Sequence, residues 1–174
     1  MTCILLGLLG LVVIAAVIVT AFIYIQGDCE LHFNMQKRSK LKVVSRTEDR
    51  LDFEATLPID NVGKEVGVIL DSFMRIYLPQ EQYEDVLIRG KVNRADCRRD
   101  DDYFEAYIIE GKESCKLVLR FEAYAKNGKT IEEALGDVPD IDVAMYADGN
   151  GRGALFTVKE YFTINREELR ALVK

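Results

Sequence analysis

The 174-residue sequence has no tryptophan, one histidine and three prolines, and no charged residue precedes Asp28. Each shortage removes a class of chemistry. A Ser-His-Asp or Cys-His set needs a histidine base, and the one available, His32, stands just beyond an apolar N-terminal run, in a stretch read as linker. A metal site built on several histidines is excluded by the count. No phosphate-binding loop and no G-x-G-x-x-G fingerprint occurs. The four cysteines, Cys3, Cys29, Cys97 and Cys115, contain no C-x-x-C pair, which indicates neither a zinc site nor a thioredoxin-like redox site. Cys97 and Cys115 fall near the two ends of a predicted hairpin, an arrangement open to a disulfide or to two free thiols. Cys3, beside the apolar run, is open to acylation or to a purely apolar role.

What is present begins with that run. Ile4 to Ile25 reads ILLGLLGLVVIAAVIVTAFIYI without a charge. As a helix it spans roughly 33 Å, enough for a hydrocarbon core of about 30 Å. Tyr24 takes the interfacial position near its end. A cleaved signal peptide fits less well. The first residues carry no Lys or Arg, and the run exceeds an ordinary signal-peptide core of about 7–15 residues. It also continues past the small residues Val19-Thr20-Ala21. Asp28 before Cys29 departs from a lipoprotein signal. The expected organisation is a transmembrane helix over 4–25, a juxtamembrane linker over 26–40, and one domain over 41–174. Lys37, Arg38, Lys40, Lys42 and Arg46 follow the run, and the positive-inside rule places the domain on the cytoplasmic face. Beside an anionic leaflet, Lys37, Arg38, Lys40 and Lys42 would each contribute about 1 kcal/mol of attraction. They are the predicted membrane-surface residues, setting the stand-off of the domain; the alternative is a topology signal alone.

Strand-period alternation dominates after residue 40. Leu51, Phe53, Ala55 and Leu57 alternate with polar residues until Pro58, which is expected to end that strand. Val66, Val68, Leu70, Met74, Ile76 and Leu78 share one parity. Val86, Ile88 and Val92 mark a strand with Gly90 as a candidate bulge. Phe104, Ala106 and Ile108 alternate with Glu105 and an exposed-parity Tyr107. Leu117, Leu119, Phe121 and Ala123 follow. Thr130 with Glu133 predicts a capping box opening a short helix that Gly136 ends. Ile141 to Ala147 is predicted to pair with 154–162 across the turn Asp148–Gly153. Asn165 with Glu168 predicts a second capped helix carrying Leu169 and Leu172. No long helices alternate with the strands. The fold class is therefore mainly β: an antiparallel sandwich of immunoglobulin-like type with one or two short helices behind one transmembrane helix.

Candidate chemistry is sparse. In Asp148-Gly149-Asn150-Gly151-Arg152-Gly153 a calcium loop would place Arg152 where an oxygen ligand belongs and Lys159 where a bidentate Glu belongs, so the stretch reads as a glycine-rich hairpin turn. The acid groups Asp100/Asp101/Asp102, Glu132/Glu133 and Asp140/Asp142 fall in turns or at element starts and read as solvated surface. Five of the 23 basic and two of the 29 acidic residues precede Thr47, so the remainder carries a net −9, which disfavours nucleic acid. No cofactor, metal or catalytic residue is expected.

Two resemblances follow from short motifs. Leu57-Pro58-Ile59-Asp60-Asn61-Val62-Gly63, followed by Gly67-Val68-Ile69, resembles the Asn-x-Gly turn entering a strand in immunoglobulin-like and LEA14-like sandwiches. Uncharacterised bacterial single-pass proteins with an anchor, a basic linker and one such domain look similar overall. This resemblance implies a sandwich over about 40–165 and a non-enzymatic interaction or accessory role in the cell envelope, with a protein partner. Val86-Leu87-Ile88-Arg89-Gly90-Lys91-Val92 is similar to a strand of the PilZ domain, a β-barrel that binds cyclic di-GMP. Arg46 and Arg50 have the R-x-x-x-R spacing of its ligand signature, whereas Asn61–Val66 has Gly63 where the signature has Ser. This second resemblance implies the alternative of a nucleotide-sensing barrel.

Overall fold

The computed structural model describes residues 2–101 and 103–173, the side chains of 2–5 excepted. Helix α1 (Thr2–Gln26) is continuous, and none of its apolar span Leu6–Gln26 is buried against the rest of the chain. It projects from the domain. By length and hydropathy it can cross a bilayer, a property that N-terminal signal sequences share.

The body follows as β1 (Leu31–Phe33), β2 (Lys42–Arg46), β3 (Arg50–Asn61), β4 (Gly67–Tyr77), β5 (Val86–Arg94), β6 (Tyr107–Ile109), β7 (Ser114–Ala125), α2 (Ile131–Gly136), β8 (Ile141–Asn150), β9 (Leu155–Ile164) and α3 (Arg166–Val173). The strands make two antiparallel sheets. One has the order β1-β3-β7-β5, with β2 also pairing β3; the other runs β6-β4-β8-β9. The architecture is a mainly β, sandwich-like fold, as the alternation requires. Along β3, Leu51, Phe53, Ala55, Leu57 and Ile59 point inward and their neighbours outward. Phe53 stacks on Phe121 of β7 with ring centroids 4.9 Å apart.

Several expectations are corrected. The stretch 26–40 is not a free linker. Leu31–Phe33 pairs with Ile59–Asn61, and Cys29, Leu31 and Phe33 are buried, because two apolar residues at strand spacing can complete the edge of the sheet. Pro58 does not end β3. Its carbonyl accepts from Asn34 N at 2.8 Å, so its nitrogen faces the gap between β1 and β2, where no partner strand asks for an N–H.

In β4 the expected parity holds from Ser72 onward but fails before it. A register shift against β8 between Ile69 and Asp71 turns Gly67 and Ile69 inward and leaves Leu70 exposed. The bulge lies there and not at Gly90, whose strand keeps unbroken register with β7. Gly90 instead permits close approach of the sheets, since a Cβ there would lie 2.7 Å from Met74 Cγ and Sδ. In the stretch 103–109 only Tyr107–Ile109 is strand, with Ile109 buried and Ile108 exposed. Phe104 is buried as expected, but from a loop.

Thr130 and Glu133 form the predicted capping box on α2. Glu168 is used differently from expectation. Its carboxylate takes both guanidinium nitrogens of Arg38, at 3.2 and 3.0 Å, and the Leu41 N–H at 3.3 Å. Glu160 Oε1 accepts the Phe33 N–H at 3.1 Å. These bonds close the β1/β9 side of the sandwich. On the opposite side β4 and β5 meet at Met74 and Gly90, beside a groove of about 420 Å³ lined by Ser72, Phe73, Arg89 and Lys91.

Candidate functional site: an aromatic and cationic sheet face

The outer face of the second sheet carries side chains that a solvated sheet does not need. Register places Phe73 beside Tyr146, and Tyr146 beside Lys159. The next outward row is Arg75, Ala144 and Tyr161; the one beyond is Tyr77, Asp142 and Thr163. Strand pleating brings these residues to one side, and antiparallel pairing sets them abreast.

Phe73 and Tyr146 stack with centroids 4.8 Å apart and planes 7° from parallel. The Arg75 guanidinium lies 5.5 Å from the Tyr146 centroid. Lys159 Nζ lies 5.1 Å from the centroid of Tyr146 and 4.9 Å from that of Tyr161. Tyr77 and Tyr161 meet at 6.3 Å. The cations lie over negative ring faces, and contact with Tyr161, then Tyr146, pushes the Lys159 ammonium pKa up. Thr157 and Thr163 donate to Asp148 and Asp142 at 2.6 and 2.7 Å. The result is a flat, preorganised patch of rings and cations with satisfied acids at its border. Four rings with few rotatable bonds offer a large contact area at low entropic cost, the composition that recurs at the centres of protein interfaces. The signal is in the sequence: Tyr77, Tyr146 and Tyr161 stand at polar-parity positions of their strands, where a tyrosine has no core to fill.

The predicted membrane-surface residues do not form one surface. Arg38 is held by Glu168 and lies 5.0 Å from the Phe162 ring centroid. Lys37, Lys40 and Lys42 are exposed, but they lie progressively farther along the domain. Helix α1 ends beside the Asn61–Gly63 turn, whereas Lys42 pairs with Glu54, roughly 23 Å up β3 at ~3.3 Å per residue. That distance exceeds a Debye length of about 8 Å. A leaflet at the end of α1 would therefore leave Lys42 outside its field.

The nucleotide-site alternative fails on the same strand. Arg46 and Arg50 lie at one end of β3 and Asn61 at the other, about 36 Å apart. Arg50 is engaged by Asp52 at 2.7 Å and by Glu122 at 3.7 Å, and Arg46 by Glu132. Asn61 is a buried structural tie. Its Oδ1 accepts from Glu30 N and Gly63 N at 3.1 and 3.0 Å, and its Nδ2 donates to the Glu65 and Glu110 carbonyls at 2.8 and 3.1 Å.

Residues 151–154 form a hairpin loop between paired Asn150 and Leu155, and Arg152 bonds Glu65 at 2.7 Å. His32 is exposed and contacts Glu30 at 3.2 Å. Cys29, Cys97 and Cys115 are free thiols; the Cys3 side chain and Asp102 lie outside the described residues. Among the described residues, no group of three or more His, Cys, Asp or Glu side chains is arranged to hold a metal ion.

No protein-family model matches the chain, and no curated protein matches it. Solved structures give distant likenesses. A putative ApaA protein from Bordetella pertussis is 11% identical over 79% of this chain and 94% of its own, with a TM-score of 0.41. A structural-genomics target, SoR45, is 12% identical over 78% and 85%, with a TM-score of 0.40. The GAE domain of GGA2p from Saccharomyces cerevisiae is 8% identical over 72% and 87%, with a TM-score of 0.35.

Proposed function

We propose that this chain is a membrane-tethered, non-enzymatic sandwich that binds a protein partner through the outer face of the β4-β8-β9 sheet. One observation carries the reading: Tyr146 is sandwiched among Phe73, Arg75 and Lys159 on an unpaired face. An apolar but hydrogen-bonding surface of this kind suits a polypeptide, whose amides and carboxylates meet the phenols and cations while its side chains cover the rings. The sandwich is read as immunoglobulin-like and the chain as one of the anchored envelope proteins that its Asn61-Val62-Gly63 turn resembles. α1 serves as an uncleaved anchor, and the domain faces the cytoplasm.

A photo-crosslinking residue at Tyr161, with a control at Lys116 on the other sheet, tests the face in native membranes. A discrete protein adduct at Tyr161, absent at Lys116 and lost in a Tyr146→Ser variant, is expected. Identical patterns at both positions, or no protein adduct, would overturn the reading. Sidedness is tested with an impermeant thiol reagent on Cys97, because Cys29 is buried. Labelling in intact cells would refute a cytoplasmic domain.

A further inference from the structure

The anchored end of the domain carries a second exposed apolar surface, unlike the aromatic face in composition and position. Only Gly27 and Asp28 separate the end of α1 from Cys29, which packs against Gly67 and Gly151. Asp28 O accepts the Lys64 N–H at 3.1 Å, and Glu30 O accepts that of Val62 at 2.8 Å. The β3–β4 turn and the β8–β9 hairpin tip are thus gathered around the end of the helix, and the β6–β7 turn joins them through Lys112, which donates to the Val62 carbonyl.

On this end the apolar side chains point outward. Ile108, Val68, Asn150 and Leu155 form one outward row across all four strands of the sheet. Ile108 is 63% and Leu155 74% exposed. Leu70, turned out by the β4 bulge, shares a depression with Leu155, and Val62 and Val66 are exposed on the adjoining turn. Three residues of chain reach at most about 10 Å, little more than the headgroup layer of one leaflet, about 5–7 Å deep. With α1 in the bilayer, so short a connection keeps this end of the domain at the interface.

We infer that this end of the domain is a lipid-contacting surface: Val62, Val66, Leu70, Ile108 and Leu155 seat in the interfacial layer and hold the sandwich upright on its anchor. The inference rests on the reading of α1 as a membrane anchor. The charges around it, Lys64, Lys112 and Arg152 against Asp28, Glu30, Glu65, Glu110 and Glu113, do not favour an anionic leaflet. The contact is apolar and independent of lipid charge. It leaves the aromatic face raised above the bilayer, open to a partner.

The absence of tryptophan makes the test clean. The full chain is reconstituted in phosphatidylcholine vesicles containing brominated lipid, with single substitutions Leu155→Trp, Ile108→Trp, Tyr161→Trp and Phe22→Trp. Strong quenching of Phe22→Trp, clear quenching of Leu155→Trp and Ile108→Trp, and little quenching of Tyr161→Trp are expected. Quenching at Phe22→Trp with none at Leu155→Trp or Ile108→Trp would overturn the lipid-contacting surface while keeping the anchor. No quenching at Phe22→Trp would overturn the anchor itself. Equal quenching at Leu155→Trp and Tyr161→Trp would mean that the sheet lies flat on the membrane, against both the upright seat and the partner-binding face. All four sites are exposed, and a retained strand-type circular dichroism spectrum identifies folded variants.

Discussion

Arg38 and Glu168 form a two-toothed ion pair, Nη1 to Oε1 at 3.2 Å and Nη2 to Oε2 at 3.0 Å, that pins the last helix to the segment following β1. Residues 130 positions apart in the chain are thereby joined across the sandwich edge. Both side chains are largely shielded, so the pair differs from an ordinary surface ion pair.

Removing one partner should therefore cost more than a surface charge does. Glu168→Ala strands the Arg38 guanidinium and the Leu41 N–H, and a loss of about 1–3 kcal/mol is expected. Arg38→Lys should recover little of it, because an ammonium cannot fork onto a carboxylate or lie flat on Phe162. Urea unfolding followed by circular dichroism reads both, and an unchanged midpoint for Glu168→Ala would count against the clamp.

Asn61 ties the first segment after α1 to two turns through its side-chain hydrogen bonds. Asn61→Ala leaves several of those backbone groups without partners, with an expected cost of about 2–4 kcal/mol. Gly63→Ala should also be strongly destabilising, since the new Cβ would fall 2.0 Å from the Asp28 carbonyl oxygen. Gly136→Ala, with open space around it, should be neutral or slightly stabilising. Thermal melts of the three variants give the comparison.

A phenol and a carboxylate set the pH range of one turn. The Tyr107 hydroxyl donates to Glu113 Oε1 at 2.5 Å, and that bond pushes the phenol pKa up to about 12. A raised pKa stabilises the protonated form. Its contribution is complete below the unfolded value of about 10 and disappears as pH climbs through the folded one. Glu113, accepting from Tyr107 and from the Glu110 N–H at 2.7 Å, is held below the usual carboxylate range. Its contribution is present above about pH 4.3 and is lost as pH falls through its lowered value. Unfolding midpoints measured from pH 8 to 12 should decline more steeply in the native chain than in Tyr107→Phe.

The thiols should separate by burial. Desolvation raises the Cys115 thiol to about 11 and raises Cys29 as well, and both are shielded by the fold, unlike Cys97. At pH 8 iodoacetamide should modify Cys97 and leave Cys29 and Cys115 at least about tenfold slower until denaturant is added. Peptide mapping by mass spectrometry distinguishes the sites; equal rates would contradict the burial of Cys115.

Much of the fold is legible in the sequence because strand alternation is local. Leu51 to Leu57 and Leu117 to Ala123 read correctly, as does the Thr130/Glu133 cap, since parity and capping depend on near neighbours, whereas the glycine-rich turn is shorter than its composition suggests, Asp148 to Asn150 being paired with Leu155 to Thr157. Leu31 and Phe33 are missed because two apolar residues make a strand only when an edge is waiting for them. Leu70 is misread because a bulge reverses parity without a residue to announce it. The candidate face is missed because parity reports which residues point out, and not which of them meet.

The sequence alone determined the uncharged, bilayer-length N-terminal helix and the alternating body behind it, because both follow from the free energy of moving side chains out of water. Tertiary structure decided the rest. Register set Phe73, Tyr146, Lys159 and Tyr161 side by side. It set Arg46, on β2, beside the end of β3 far from Asn61, and it gathered Val62, Ile108 and Leu155 around the end of α1. Those relations join residues far apart in the chain, and only the pairing of strands, each fixed by the others, brings them into contact.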